Sequence, residues 1–147
     1  MHTMSPETVR EAIVPEPTTL AADASAQEAG RSFADSGEVR AIFVTEAGGR
    51  LLGVVTRKTL VREVVAAGLE PSAVSLREIA EPPNFTLDAG LELEGAFRFL
   101  EEQDLERVPV VEEGGRLVGV LSRAVVQRRL AETEPPEAEP QPDSLVL

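Results

Sequence analysis

Val44-Thr45-Glu46-Ala47-Gly48-Gly49-Arg50-Leu51-Leu52-Gly53-Val54-Val55-Thr56-Arg57 returns later in the chain as Val110-Val111-Glu112-Glu113-Gly114-Gly115-Arg116-Leu117-Val118-Gly119-Val120-Leu121-Ser122-Arg123. Most differences between the copies are conservative swaps at apolar or hydroxyl positions. A repeat of this kind is one supersecondary unit used twice. Each copy reads as two apolar runs around a Gly-Gly turn, the pattern of a β-hairpin. The hairpins are expected at Ile42 to Thr45 with Arg50 to Val55, and at Val108 to Val111 with Arg116 to Leu121. Thr56 and Ser122 stand where an N-cap belongs, and the helices they open run to about Ala67 and Leu130. Gly68 and Pro71 end the first of these.

The repeat extends upstream. Thr8-Val9-Arg10-Glu11 matches Ser75-Leu76-Arg77-Glu78, and both read as capping boxes opening a short helix. Proline breaks follow, Pro15 and Pro17 in one half, Pro82 and Pro83 in the other. Thr19-Leu20 then matches Thr86-Leu87, within short strands expected at Thr18 to Leu20 and Phe85 to Leu87. Amphipathic helices are expected from about Ser25 to Ser36 and Leu91 to Gln103, with Phe33 matched to Phe99. Leu93, Ala96, Phe97 and Leu100 recur at helical spacing, with Glu94, Glu101 and Glu102 outside that stripe. The spacing between the halves shifts by one residue, which places an insertion at the start of this helix.

Composition narrows the function classes. The 147 residues are 42% hydrophobic, enough for a core, but only 3% aromatic, with no Trp or Tyr. Few rings are available for stacking bases, and a net charge of −12 opposes a phosphate backbone, so no nucleic-acid partner is expected. Cysteine is absent and His2 is the only histidine, which leaves no Cys- or His-type metal site and no histidine base. Neither a signal peptide nor a membrane-spanning stretch is legible, and the expected location is the cytoplasm. Glu112-Glu113 on a turn and Glu101-Glu102 at a helix end read as solvated acids rather than a catalytic pair. Gly48-Gly49 and Gly114-Gly115 are turn residues and not a phosphate loop, since no Lys-Ser/Thr follows. From residue 132 on, prolines among acids suit a disordered tail that ends in the apolar Ser144-Leu145-Val146-Leu147.

The order helix, strand, helix, hairpin, helix, each hairpin ending in Gly, two apolar residues and Thr or Ser, resembles the cystathionine-β-synthase (CBS) domain. Arg107-Val108-Pro109-Val110-Val111 followed by Gly115-Arg116-Leu117-Val118-Gly119 carries the most recognisable part. The first copy has Phe43 where the proline falls. The resemblance implies an α/β (α+β) fold of two pseudo-symmetric repeats packed sheet to sheet, a Bateman-type module. The domains are expected at 5–68 and 72–131, with the acidic, Pro-rich tail at 132–147. It also implies assembly of two modules into a homodimer, and clefts between copies that hold AMP, ADP, ATP or S-adenosylmethionine.

The family contacts ribose and phosphate through the final hydroxyl and an aspartate three residues on. The hydroxyls are present as Thr56 and Ser122, whereas Thr59 and Val125 occupy the aspartate positions. Thr59 retains one hydrogen-bonding group and Val125 none, which favours the Thr56 site. Arg57 and Arg123 follow the two hydroxyls and are candidate phosphate partners at helix N-termini; Lys58 and Arg62 are assigned to the outer helix face. Backbone near the first strand and at the hairpin start holds the base, which adds Thr19, Ile42, Phe85 and Val108 to the ligand-binding set. No catalytic residue, metal ligand or required cofactor is expected. The function implied is a ligand-sensing regulatory module that signals nucleotide occupancy to a partner. The alternative is a degenerate pair that serves as a dimerisation or adaptor module.

Overall fold

A computed structural model describes residues 7–14 and 17–133. The expected tail lies, from residue 134 on, outside the described residues, as do His2 and Pro15. In the first half, strand β1 (Thr19–Ala21) leads to helix α1 (Ala26–Asp35), then to the hairpin of β2 (Ile42–Thr45) and β3 (Leu51–Val55). Helix α2 (Arg57–Leu60) follows and continues as a π-helical stretch, Val61–Val65. The second half repeats the plan with β4 (Leu87–Asp88), α4 (Leu93–Glu102), β5 (Arg107–Glu112), β6 (Arg116–Ser122) and α5 (Arg123–Thr133). Between the halves lies the short helix α3 (Leu76–Ile79), whose counterpart is a 3-10 turn at Val9–Ala12.

Each half forms a three-stranded sheet, ordered β1-β2-β3 and β4-β5-β6. The first pair in each is parallel and the second antiparallel, with Leu20 opposite Val44 and Leu87 opposite Val110. Both hairpins bulge at the same place, between Val44 and Thr45 and between Val110 and Val111. The turns explain their double glycines. Gly48, Gly49, Gly114 and Gly115 all have φ near 80°, where a side chain is strained.

Helix α1 starts because Ser25 Oγ accepts the Glu28 N–H (3.1 Å), and it buries Ala26, Ala29 and Phe33. Helix α4 buries Leu93, Ala96 and Leu100 at the same spacing. The partner of Phe33 is therefore Leu100, not Phe99. The one-residue change falls after the helix, in the loop before each hairpin, and not at the helix start. Loops absorb an insertion, whereas within a helix it would rotate the buried face by about 100°.

The opening helical turn of each half packs on the other half. Val9 and Ala12 belong to the core built by Leu87, Leu93, Leu100, Val110 and Val126. Leu76 and Ile79 belong to the core of Ala29, Phe33, Ile42, Val55 and Val64. Matching backbone bonds hold them there: Val9 N–H to Leu91 O (2.8 Å), and Leu76 N–H to Ala24 O (2.8 Å). Four-residue helical pieces are unstable alone, so this packing is what forms them. The segments that follow then cross onto the opposite sheet. Val14 and Val120 exchange backbone bonds at 2.8 and 3.2 Å, and Val54 and Glu81 do so at 2.8 and 2.9 Å.

These crossings account for Gly53 and Gly119. A Cβ at Gly53 would lie 2.8 Å from Glu81 O, and one at Gly119 would lie 2.9 Å from Ile13 Cδ1. Glycine in a strand interior here marks the close approach of a second backbone.

Candidate functional site

Where β2, β3, β5 and β6 meet the two crossing segments, a cleft of about 550 Å³ opens between the halves. Its floor is apolar, made by Phe43 and Val54 from one half and by Val108, Pro109 and Val120 from the other. Pro17, Pro82, Pro83 and Phe85 wall it. Phe85 is fixed by an edge-to-face contact with Phe99, centroids 5.2 Å apart. Thr18, Ser36 and Asn84 supply neutral polar groups, and Glu38, Arg40, Glu81 and Arg107 supply charge. A pocket of this size with an apolar floor and a few polar groups suits a small molecule. Its lining holds no His, Cys, Lys or Tyr.

The structure distributes the expected site residues unevenly. Phe85 and Val108 line the cleft. Thr19 is exposed on β1, and the neighbouring Thr18 lines the cleft while its carbonyl accepts the Phe43 N–H (2.9 Å). Ile42 is fully buried in the first core, between Ala41 and Phe43, which both line the cleft.

Thr56, Arg57 and Thr59 lie together at the start of α2 and are not part of the cleft lining. Thr56 and Thr59 form a reciprocal cap: each side-chain oxygen accepts the other's backbone N–H, at 3.2 and 3.1 Å. Thr59, only 1% exposed, thereby has its hydroxyl turned into the helix start. In the second half Ser122 Oγ accepts from Val125 N at 3.5 Å, and Val125 has no group with which to reciprocate.

Arg57 donates to three carbonyls, Val39 (2.7 Å), Phe33 (3.1 Å) and Ser36 (3.3 Å), and lies 4.8 Å over the Phe33 ring. It caps α1, whose last carbonyls have no helical partner. Arg123 instead pairs with Glu106 (2.6 Å) and Asp104 (3.5 Å). Its pKa is raised, first by the hydrogen bond it donates to Glu106. Asp104 is, among the described residues, the non-glycine at positive φ (55°), in the loop where the halves differ by one residue. Lys58 is exposed, and Arg62 pairs with Glu63 (3.0 Å) and Glu81.

Sequence reasoning did not single out Thr18, Asn84, Arg40 or Arg107. A signal existed for Arg107, the first residue of the recognisable Arg-Val-Pro-Val-Val stretch. None existed for Arg40, because only the fold shows that its loop faces the opposite half.

The structure defines a class: two copies of one α/β unit, joined through exchanged segments, with a cleft at their junction. Residues 9–66 and 76–132 each match the CBS domain family, and the chain belongs to that family as a tandem pair. It is similar to Hypoxic response protein 1 of Mycobacterium tuberculosis, 35% identical over 83 residues. That stretch is 56% of this chain and 57% of the relative, so the match spans about half of each.

Among solved structures it is similar to Hypoxic Response Protein I with two coordinated zinc ions. The TM-score is 0.69 at 26% identity, over 84% of this chain and 98% of that one. It also has the fold of CBSX2 in complex with AMP (TM-score 0.66, 22% identity, 85% and 96% covered). Among the described residues here, no group of three or more His, Cys, Asp or Glu side chains is arranged to hold a metal. None of the described helices is long and apolar enough to cross a membrane.

Proposed function

We propose that the chain is a non-catalytic regulatory module that binds an adenosine-containing ligand, AMP, ADP, ATP or S-adenosylmethionine, in the cleft between its halves. The observation that carries this reading is the cleft itself. It has room for a nucleoside, an apolar floor for a flat base, and polar and charged groups at the rim. The AMP held by a protein of the same fold supports the ligand class. Both halves line the cleft, so an occupant favours one arrangement of the halves, and a cytoplasmic partner reads that population.

A thermal-unfolding panel with these ligands at millimolar concentration tests it. A stabilisation of several degrees by at least one ligand is expected, and Ala41→Trp, which fills the cleft, abolishes it. The absence of a shift with any ligand rejects the reading.

A second reading, a dimerisation or adaptor module, has its own observation. Val61, Val65 and Leu69 are 57%, 69% and 48% exposed beside a shallow groove of about 340 Å³ between α1 and the π-helical stretch. Gly30 leaves that groove open; at the same place on α4, Phe97 packs onto the second core. Gln127 and Ala131 stand where the second half would carry the two valines. An apolar face confined to one half fits a homodimer contact. Sedimentation of Val61→Asp/Val65→Asp tests it: the variant is expected to be monomeric where the parent is a dimer. A monomeric parent rejects the reading.

A further inference from the structure

Arg40 and Arg107 reach the cleft from opposite halves. Neither side chain has an ion pair or a hydrogen bond among the described residues, unlike Arg57, Arg62 and Arg123 around them. Of the two carboxylates in the lining, Glu81 is taken up by Arg62, which leaves Glu38 as one carboxylate against two guanidinium groups. The pair is not a product of the repeat. Counting from the matched Val44 and Val110, Ala41 stands where the second half has Arg107, and Glu106 stands where the first half has Arg40. Glu106 is itself held by Arg123 at 2.6 Å. The helix starts that the repeat would offer a phosphate, at Thr56 and Ser122, are absent from the lining.

We infer that the cleft selects a nucleoside polyphosphate, whose phosphate chain bridges Arg40 of the first half and Arg107 of the second. This rests on the reading of the cleft as a nucleotide site. A guanidinium offers a phosphate two parallel donors, and a charge-assisted contact is stronger than a neutral one. One phosphate offers its oxygens to one guanidinium, whereas a chain of two or three has a phosphate for each. An adenosyl sulfonium brings positive charge toward two cations and gains nothing from them. Because the arginines belong to different halves, the bridging ligand ties the halves together, so occupancy by a polyphosphate and by a monophosphate favours different arrangements.

Calorimetry on the full chain with ATP, ADP, AMP and S-adenosylmethionine tests this, repeated on Arg40→Ala, Arg107→Ala and Arg40→Lys. The parent is expected to hold ATP or ADP about tenfold or more above AMP. Each alanine variant is expected to lose about tenfold for ATP, whereas AMP weakens in only one of the two, the variant lacking the arginine that holds its single phosphate. Arg40→Lys keeps most of the preference. Unchanged unfolding midpoints, expected because neither guanidinium has a protein partner, show that the variants fold.

An ATP-to-AMP ratio unaltered in both alanine variants overturns the inference and leaves the cleft reading standing. Tighter binding of S-adenosylmethionine than ATP does the same. No binding by any of the four ligands removes the cleft reading and this inference with it.

Discussion

The Thr56 and Thr59 hydroxyl oxygens lie 3.0 Å apart, and each accepts the backbone N–H of the other residue. The arrangement explains how this half keeps its helix start without the family's aspartate. A buried threonine supplies the same acceptor at the cost of a negative charge. The second half manages with Ser122 alone, because Val125 is apolar.

Thr59→Val copies that second half. It removes the acceptor of the Thr56 N–H with almost no change of shape, and is expected to destabilise the chain by about 1–2 kcal/mol. Urea unfolding measures it, and the m-value is expected to stay the same.

Arg57→Ala withdraws three donors from the end of α1 and the cation from the Phe33 ring. A loss of about 1–3 kcal/mol is expected in the ligand-free protein. Arg57→Lys is expected to recover little, because one ammonium cannot span three carbonyls from a planar fork. Unchanged ligand-free stability in Arg57→Ala contradicts the capping role.

Gly53→Ala and Gly119→Ala push a methyl into the crossing segments, 2.8 Å from Glu81 O and 3.0 Å from Val14 O. Each is expected to cost about 1–3 kcal/mol, because backbone cannot step aside as a side-chain end can. The Glu81 contact makes Gly53→Ala the more damaging of the two. Gly95→Ala is the contrast: it lies inside α4 with nothing within 4 Å of the new Cβ. That change is expected to stabilise the chain by about 0.5–1 kcal/mol through helix propensity. Thermal unfolding of the three variants side by side checks the ordering.

Gly30→Phe gives α1 the ring that α4 carries as Phe97. It is expected to fill the groove beside Val64 and Leu60 and, if the proposed dimer forms through this face, to abolish it, with any ligand binding in the cleft unchanged because the cleft lies elsewhere. Sedimentation equilibrium and calorimetry on the same sample separate the two effects.

Much of this is legible in the sequence. The hairpin turns, both capping boxes and the hydroxyl caps at Thr56 and Ser122 are set within a few residues, where side-chain chemistry acts on nearby backbone. Helix α1 began one residue after the Ser25 that its pattern suggested. The position of the insertion is not legible in the pattern, because Phe99 and Leu100 are both apolar and only burial shows that Leu100 is the fully buried one. The π-helical stretch left no trace, since Val61–Val65 suits either helix. Gly53 and Gly119 were the overlooked signal: glycine inside an otherwise apolar strand implies another backbone close by, and that backbone belongs to the crossing segment.

Sequence alone determined that one α/β unit is used twice, and where each copy turns, caps and ends, because those choices are made by neighbours along the chain. Only the tertiary structure decided that Val9 and Leu76 are buried in the opposite halves, and that Arg40 and Arg107 face one cleft while Arg57 turns away to cap α1. Such pairings join residues far apart in the chain, and burial of apolar surface, which drives them, carries no direction that a local pattern could record.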